Sequence, residues 1–146
     1  MTRVRPGWLV ALCAGVLAVS AWLPWLTTSL DGGGRISAGG GAAGAMSLPP
    51  GFGAGQLIVL LTSTLLVAGA MTARGLSATW AAVAALVNSL LIGALTGLFY
   101  RMHAGDAVGI GYGFYIAAVS TVGAVAFSVW ALIEARSGRR SHGPAD

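Results

Sequence analysis

Ala21-Trp22-Leu23-Pro24-Trp25-Leu26 closes the first of four apolar segments and opens a run holding ten glycines between residues 32 and 55. Residues 8–26 carry no charge. At a 1.5 Å rise per residue they would make a helix of about 28 Å, close to the thickness of a bilayer's hydrocarbon core. Indole rings favour the boundary between hydrocarbon and headgroups, because they are apolar with one N–H to satisfy. Trp8 therefore marks the inner boundary, and Trp22 and Trp25 the outer one. Pro24 lacks an N–H and its ring clashes with the carbonyl four residues back, so it should kink or end the helix. A rival reading takes Arg3 and Arg5 as the basic start of a signal peptide cleaved after Ala18-Val19-Ser20. The apolar run continues past that point to spanning length, and Trp22 and Pro24 crowd the site, which favours a span.

Composition supports the same class. The chain has 146 residues, 56% of them hydrophobic and 8% charged, with a mean hydropathy of +0.82. A soluble domain carries roughly 25% charged residues, so twelve charged side chains cannot cover a water-exposed surface of this length. Net charge is +4, yet the arginines sit at helix ends, where the positive-inside rule places them, and no nucleic-acid partner is implied. All eight basic residues are Arg.

Outward from the first segment, the apolar pattern predicts three more spans, over 55–73, 77–100 and 112–133. Outer loops cover 27–54 and 101–111, and an inner tail covers 134–146. Inner arginines would be Arg3, Arg5, Arg74, Arg136, Arg139 and Arg140; outer ones would be Arg35 and Arg101. Six against two predicts a multi-pass plasma-membrane protein with both termini cytoplasmic. The fold class expected is all-α, one antiparallel bundle of four transmembrane helices. Trp80 and Trp130 fall at the inner boundary. The glycine-rich loop reads as a mobile linker, since glycine loses the most conformational entropy on ordering. A short hairpin between 36–38 and 45–48 is the alternative for part of it. Phe52 is expected to return to the outer boundary.

The most informative pattern lies on the third span. Ala81, Ala85, Ser89, Gly93 and Gly97 recur every fourth residue, and small side chains let helix backbones approach closely in lipid. Bundle packing or an interface with another copy or another membrane protein would use such a ridge. Gly7, Ala11 and Gly15 form a shorter one on the first span. Asn88, halfway along the third span, needs hydrogen-bond partners in hydrocarbon and is expected to find them among Thr62, Ser63 and Thr64. Those hydroxyls can themselves bond to carbonyls one turn back.

Chemistry is otherwise sparse. No Asp, Glu, Lys, Arg or His lies inside a span, against an ion-coupled transporter. His103, Asp106 and Arg101 share an outer loop, but no nucleophile or oxyanion donor accompanies them. One cysteine and two histidines cannot furnish a structural metal site, with His103 and His142 on opposite sides. Gly109-Ile110-Gly111-Tyr112-Gly113 is no nucleotide-binding turn; its glycines suit close packing of a loop against a helix start. With one cysteine, no intrachain disulfide can staple the outer loop.

This layout resembles small four-helix integral membrane proteins of unknown function from actinobacteria. The resemblance rests on Arg3 and Arg5, the Trp22-Leu23-Pro24-Trp25 exit, the glycine-rich loop and Gly111-Tyr112-Gly113, and it implies no activity or cofactor. A claudin-like reading lacks that family's paired loop cysteines. The expectation is a non-enzymatic accessory or assembly protein without catalytic residues, cofactor or metal; an oligomeric channel or small transporter is the alternative.

Overall fold

A computed structural model describes residues 5–28, 33–44, 53–103 and 109–140, without the side chains of 54, 103 and 138–140. In chain order the elements are α1 (Pro6–Ser20), β1 (Pro24–Thr28), β2 (Gly34–Ser37), β3 (Ala42–Gly44), α2 (Gly53–Ala73), α3 (Ala78–His103), β4 (Gly109–Ile110) and α4 (Tyr112–Arg140). The chain is mostly helical, but the all-α expectation is corrected: one end of the helices carries a four-stranded antiparallel sheet in the order β3-β2-β1-β4.

The first span is also corrected. It was expected over 8–26, yet α1 ends at Ser20, and Trp25 and Leu26 lie in a strand. The cause is local. In a continued helix the Ser20 carbonyl would accept the N–H of residue 24, and Pro24 has none. That carbonyl instead accepts the Leu23 N–H at 3.0 Å and the Trp25 indole Nε1–H at 2.8 Å. A side chain one residue past the proline thus supplies the donor that the proline lacks. Backbone leaving the helix in the extended conformation would have unpaired polar groups, and β2 and β4 on either side of β1 satisfy them.

The sheet caps the helices. Leu26 pairs with Ile36 and Ile110, and Ile36 with Ala42. Leu26 and Ile36 are both buried, whereas Arg35, in the next row, is exposed. Plain alternation would put Trp25 and Leu26 on opposite faces. Both are buried because the register shifts between Pro24 and Leu26, a bulge that turns the indole inward. Residues 33–44, read as part of a mobile linker, are ordered in two strands and their turn. The hairpin pairs Gly34–Ser37 with Ala42–Gly44, nearer in sequence than the pairing expected. Residues 45–48, like Phe52, lie outside the described residues.

Below the sheet the four helices form a ring. α1 packs on α2 and α4, and α3 packs on the same two. Successive helices run in opposite directions: the start of α1 meets the end of α2, where the Arg5 guanidinium donates to the Ala73 carbonyl at 3.0 Å. α2 and α3 are joined by a tight turn over 74–77. There Leu76 N–H donates to Met71 C=O and Gly75 N–H to Thr72 C=O, with Gly75 at φ 75°. This pair of bonds with glycine at the left-handed position is the Schellman helix stop. The last helix runs to Arg140, so the tail expected from 134 begins as helix.

The ring's interior is built from small residues, among them Ala14, Ala82, Ala85, Ser89, Ala117 and Ala124. Its outer flanks carry Leu60, Val67, Leu90, Leu91, Val119 and Val122, all exposed. Helices α2, α3 and α4 are long and apolar enough to cross a membrane; α1, with 15 residues, is shorter.

Candidate functional site

The Trp-Leu-Pro-Trp exit contains two tryptophans with opposite surroundings. Trp22 is 87% exposed and Trp25 is 0% exposed. The reading of Trp25 as a boundary anchor is therefore corrected: its ring is the centre of the cap. It meets Phe99 edge-on at 5.3 Å between ring centroids and Phe114 edge-on at 5.7 Å. Such T-shaped contacts set the positive edge of one ring against the negative face of another. Helices α3 and α4 thus both contact the exit of α1 through this side chain.

The glycines of Gly109-Ile110-Gly111-Tyr112-Gly113 make that contact close. Gly111 N–H donates to the Trp25 carbonyl at 2.8 Å. A Cβ on Gly111 would lie 2.8 Å from the Pro24 carbonyl carbon, and one on Gly113 would lie 2.8 Å from Leu23 Cβ. The start of α4 therefore lies directly on the Leu23-Pro24-Trp25 backbone.

Of the other expected anchors, Trp22 is exposed beside the sheet. Trp8, Trp80 and Trp130 are exposed at the opposite end of the ring, in the first turns of α1 and α3 and toward the end of α4. On α3, the expected ridge divides into two parts. Ala81, Ala85 and Ser89 are buried. Gly93 is half-buried, and Gly97 is exposed with nothing within 4 Å of where a Cβ would stand. Beside Gly93 lies an open apolar groove of about 460 Å³ between α3 and α4. Leu90, Gly93 and Ala94 form one wall, and Thr121, Val122 and Ala126 the other.

The tightest helix contact involves residues that the α3 pattern does not include. A Cβ on Gly7 would fall 2.8 Å from Ala73 Cα and 2.9 Å from the Gly69 carbonyl, and one on Gly69 would fall 2.8 Å from Ala11 N. Gly69 and Ala73 stand four apart on α2, so the small-residue spacing was there to be found. Cys13 packs elsewhere on α1, where its sulfur would sit 3.1 Å from a Cβ on Gly123.

Asn88 donates from Nδ2 to the Leu61 carbonyl at 3.0 Å and to Thr64 Oγ1. Thr62, Ser63 and Thr64 each donate to a carbonyl three or four residues back on α2. Asn88→Ala is expected to lower stability by about 0.6 kcal/mol, the mean for such bonds between membrane helices, without impairing insertion. Thermal unfolding in detergent, alongside the membrane-fraction yield, measures both.

His103's side chain and Asp106 lie outside the described residues, as does His142, and Arg101 is exposed at the end of α3. Among the described residues no group of three potential metal ligands occurs. No family model matches this chain, and no curated protein and no solved structure shows significant similarity to it.

Proposed function

We propose that the chain is a multi-pass plasma-membrane protein, both termini cytoplasmic, acting as a non-enzymatic accessory or assembly component of a larger membrane complex. The apolar flanks of the helices, the exposed tryptophans at both ends and the arginine distribution support the membrane placement. The open groove between α3 and α4 carries the accessory role. Helices associate in lipid through close packing at small residues, and on the α3 ridge Gly93 is half-buried and Gly97 uncovered by the ring's own helices. The buried hydroxyls of Thr62, Thr96 and Thr121 bond to carbonyls of their own helices, which supports a packing role for them over a lining of a passage.

Gly93→Leu combined with Ala94→Leu should fill the groove. The expected result is normal insertion and unfolding temperature with loss of the protein that co-purifies in mild detergent. A wild-type chain that purifies alone across several mild detergents, with no second copy attached, would refute the proposal.

A further inference from the structure

A cavity of about 280 Å³ opens at the end of the ring away from the sheet, and all four helices or their connecting turn contribute to it. Arg5 and Gly7 from the start of α1, Thr72 from α2, Ala78 from the start of α3, and Ala131 and Glu134 from α4 line it. Two of these side chains are charged, with opposite signs. Glu134 is half-buried, is the one carboxylate among the described residues, and has no hydrogen-bond or ion-pair partner among them. Arg5 is tethered through its contact with the Ala73 carbonyl. A guanidinium has five N–H donors, so this bond leaves most of them available.

The two charges thus border one cavity without forming an ion pair across it. The starts of α1 and α3 also border the cavity, and their first backbone N–H groups lack helical acceptors and carry the positive end of the helix dipole. The cavity therefore offers an anion the Arg5 guanidinium and helix starts, and a cation the Glu134 carboxylate. A ligand matching both has a negative and a positive group joined by a short linker. Trp8, Trp80 and Trp130 are exposed around this same end, the level that indoles take among headgroups. Among the described residues no aromatic side chain lines the cavity, and quaternary ammonium groups are usually held in aromatic cages. Glu134 instead suits a primary ammonium, which can donate to it.

We propose that this cavity binds the phosphoethanolamine headgroup of a bilayer lipid, with the phosphate toward Arg5 and the start of α1 and the ammonium at Glu134. The assignment rests on the membrane placement given above and is independent of the accessory role.

Native mass spectrometry of the full chain, offered equal amounts of phosphatidylethanolamine, phosphatidylglycerol and phosphatidylcholine, tests it. The expected result is preferential retention of phosphatidylethanolamine. Glu134→Gln should reduce that preference about tenfold or more, the effect of losing one hydrogen bond to a charged group, with unfolding temperature unchanged. Ala135→Leu, which narrows the cavity, should lower retention as well. Equal retention of the three lipids, or a preference unaltered in Glu134→Gln, would overturn the proposal. Free O-phosphoethanolamine binding as tightly as the lipid would assign the cavity to a soluble ligand and overturn the lipid assignment. Membrane placement is read separately: release of the chain from membranes by alkaline wash would sink that reading, while the titration with free O-phosphoethanolamine still interrogates the cavity.

Discussion

Trp25→Ala is expected to destabilise the folded chain by about 3–5 kcal/mol, the range for removing a large buried aromatic side chain. Its side chain is fully buried, contacts Phe99 and Phe114, and donates to the Ser20 carbonyl. Deleting it would open a void where α1, α3, α4 and the sheet meet. Trp25→Phe separates packing from hydrogen bonding. It keeps an aromatic ring but leaves the Ser20 carbonyl without its indole donor, an expected loss of about 1 kcal/mol for the hydrogen bond alone. Trp22→Ala is the internal control. Being largely exposed, it should leave the unfolding temperature in detergent nearly unchanged. Equal effects at positions 22 and 25 would contradict the inward turn of β1.

Gly7→Leu is expected to separate α1 from α2. Even the Cβ would overlap backbone atoms of Ala73 and the Gly69 carbonyl, and backbone cannot swing aside as a side-chain tip can. Gly7→Ala should already cost about 1–3 kcal/mol, the usual penalty of overpacking. Leucine should reduce the yield of folded protein sharply. Gly15→Ala lies on the same helix with nothing within 4 Å of the new Cβ. It should stabilise by up to about 1 kcal/mol, because alanine is the better helix former. Unfolding curves for the three variants give the comparison. A neutral Gly7→Ala would mean that the two helices do not approach this closely.

The contrast between Trp22 and Trp25 shows how much of the structure the sequence makes legible. Both belong to one aromatic-rich exit from an apolar segment, and composition assigns them to the same layer. What separates them is the missing N–H of Pro24 followed by a one-residue bulge, and neither burial nor a bulge has a signature in hydropathy. The three long helices were legible because their apolar runs are continuous over spanning length. Asn88 and Thr64 were legible as partners because a carboxamide in an apolar helix has few places to go. The sheet was not: in Gly34–Ser37 and Ala42–Gly44 only Ile36 is of the branched or aromatic kind that favours strands, and they are ordered through the pairing of β2 with β1 and of β3 with β2. On α3, a four-residue spacing identifies the ridge but cannot reveal that its neighbours cover Ala81, Ala85 and Ser89 and leave Gly97 open. The missing cysteines argued against a fastened outer loop, yet hydrogen bonds and the inward-turned Trp25 fasten residues 33–44 without one.

The position of β1 between β2 and β4 has a consequence for biosynthesis. Leu26 pairs with Ile110, and Thr27 with Gly109, across more than eighty intervening residues. As the chain leaves the ribosome, α1 and the hairpin can form early, but one edge of β1 stays open until the start of α4 arrives. A nascent chain halted after α3 would carry that open edge, a template for pairing with other chains. Closure of that edge thus waits on β4, the strand immediately before the last helix.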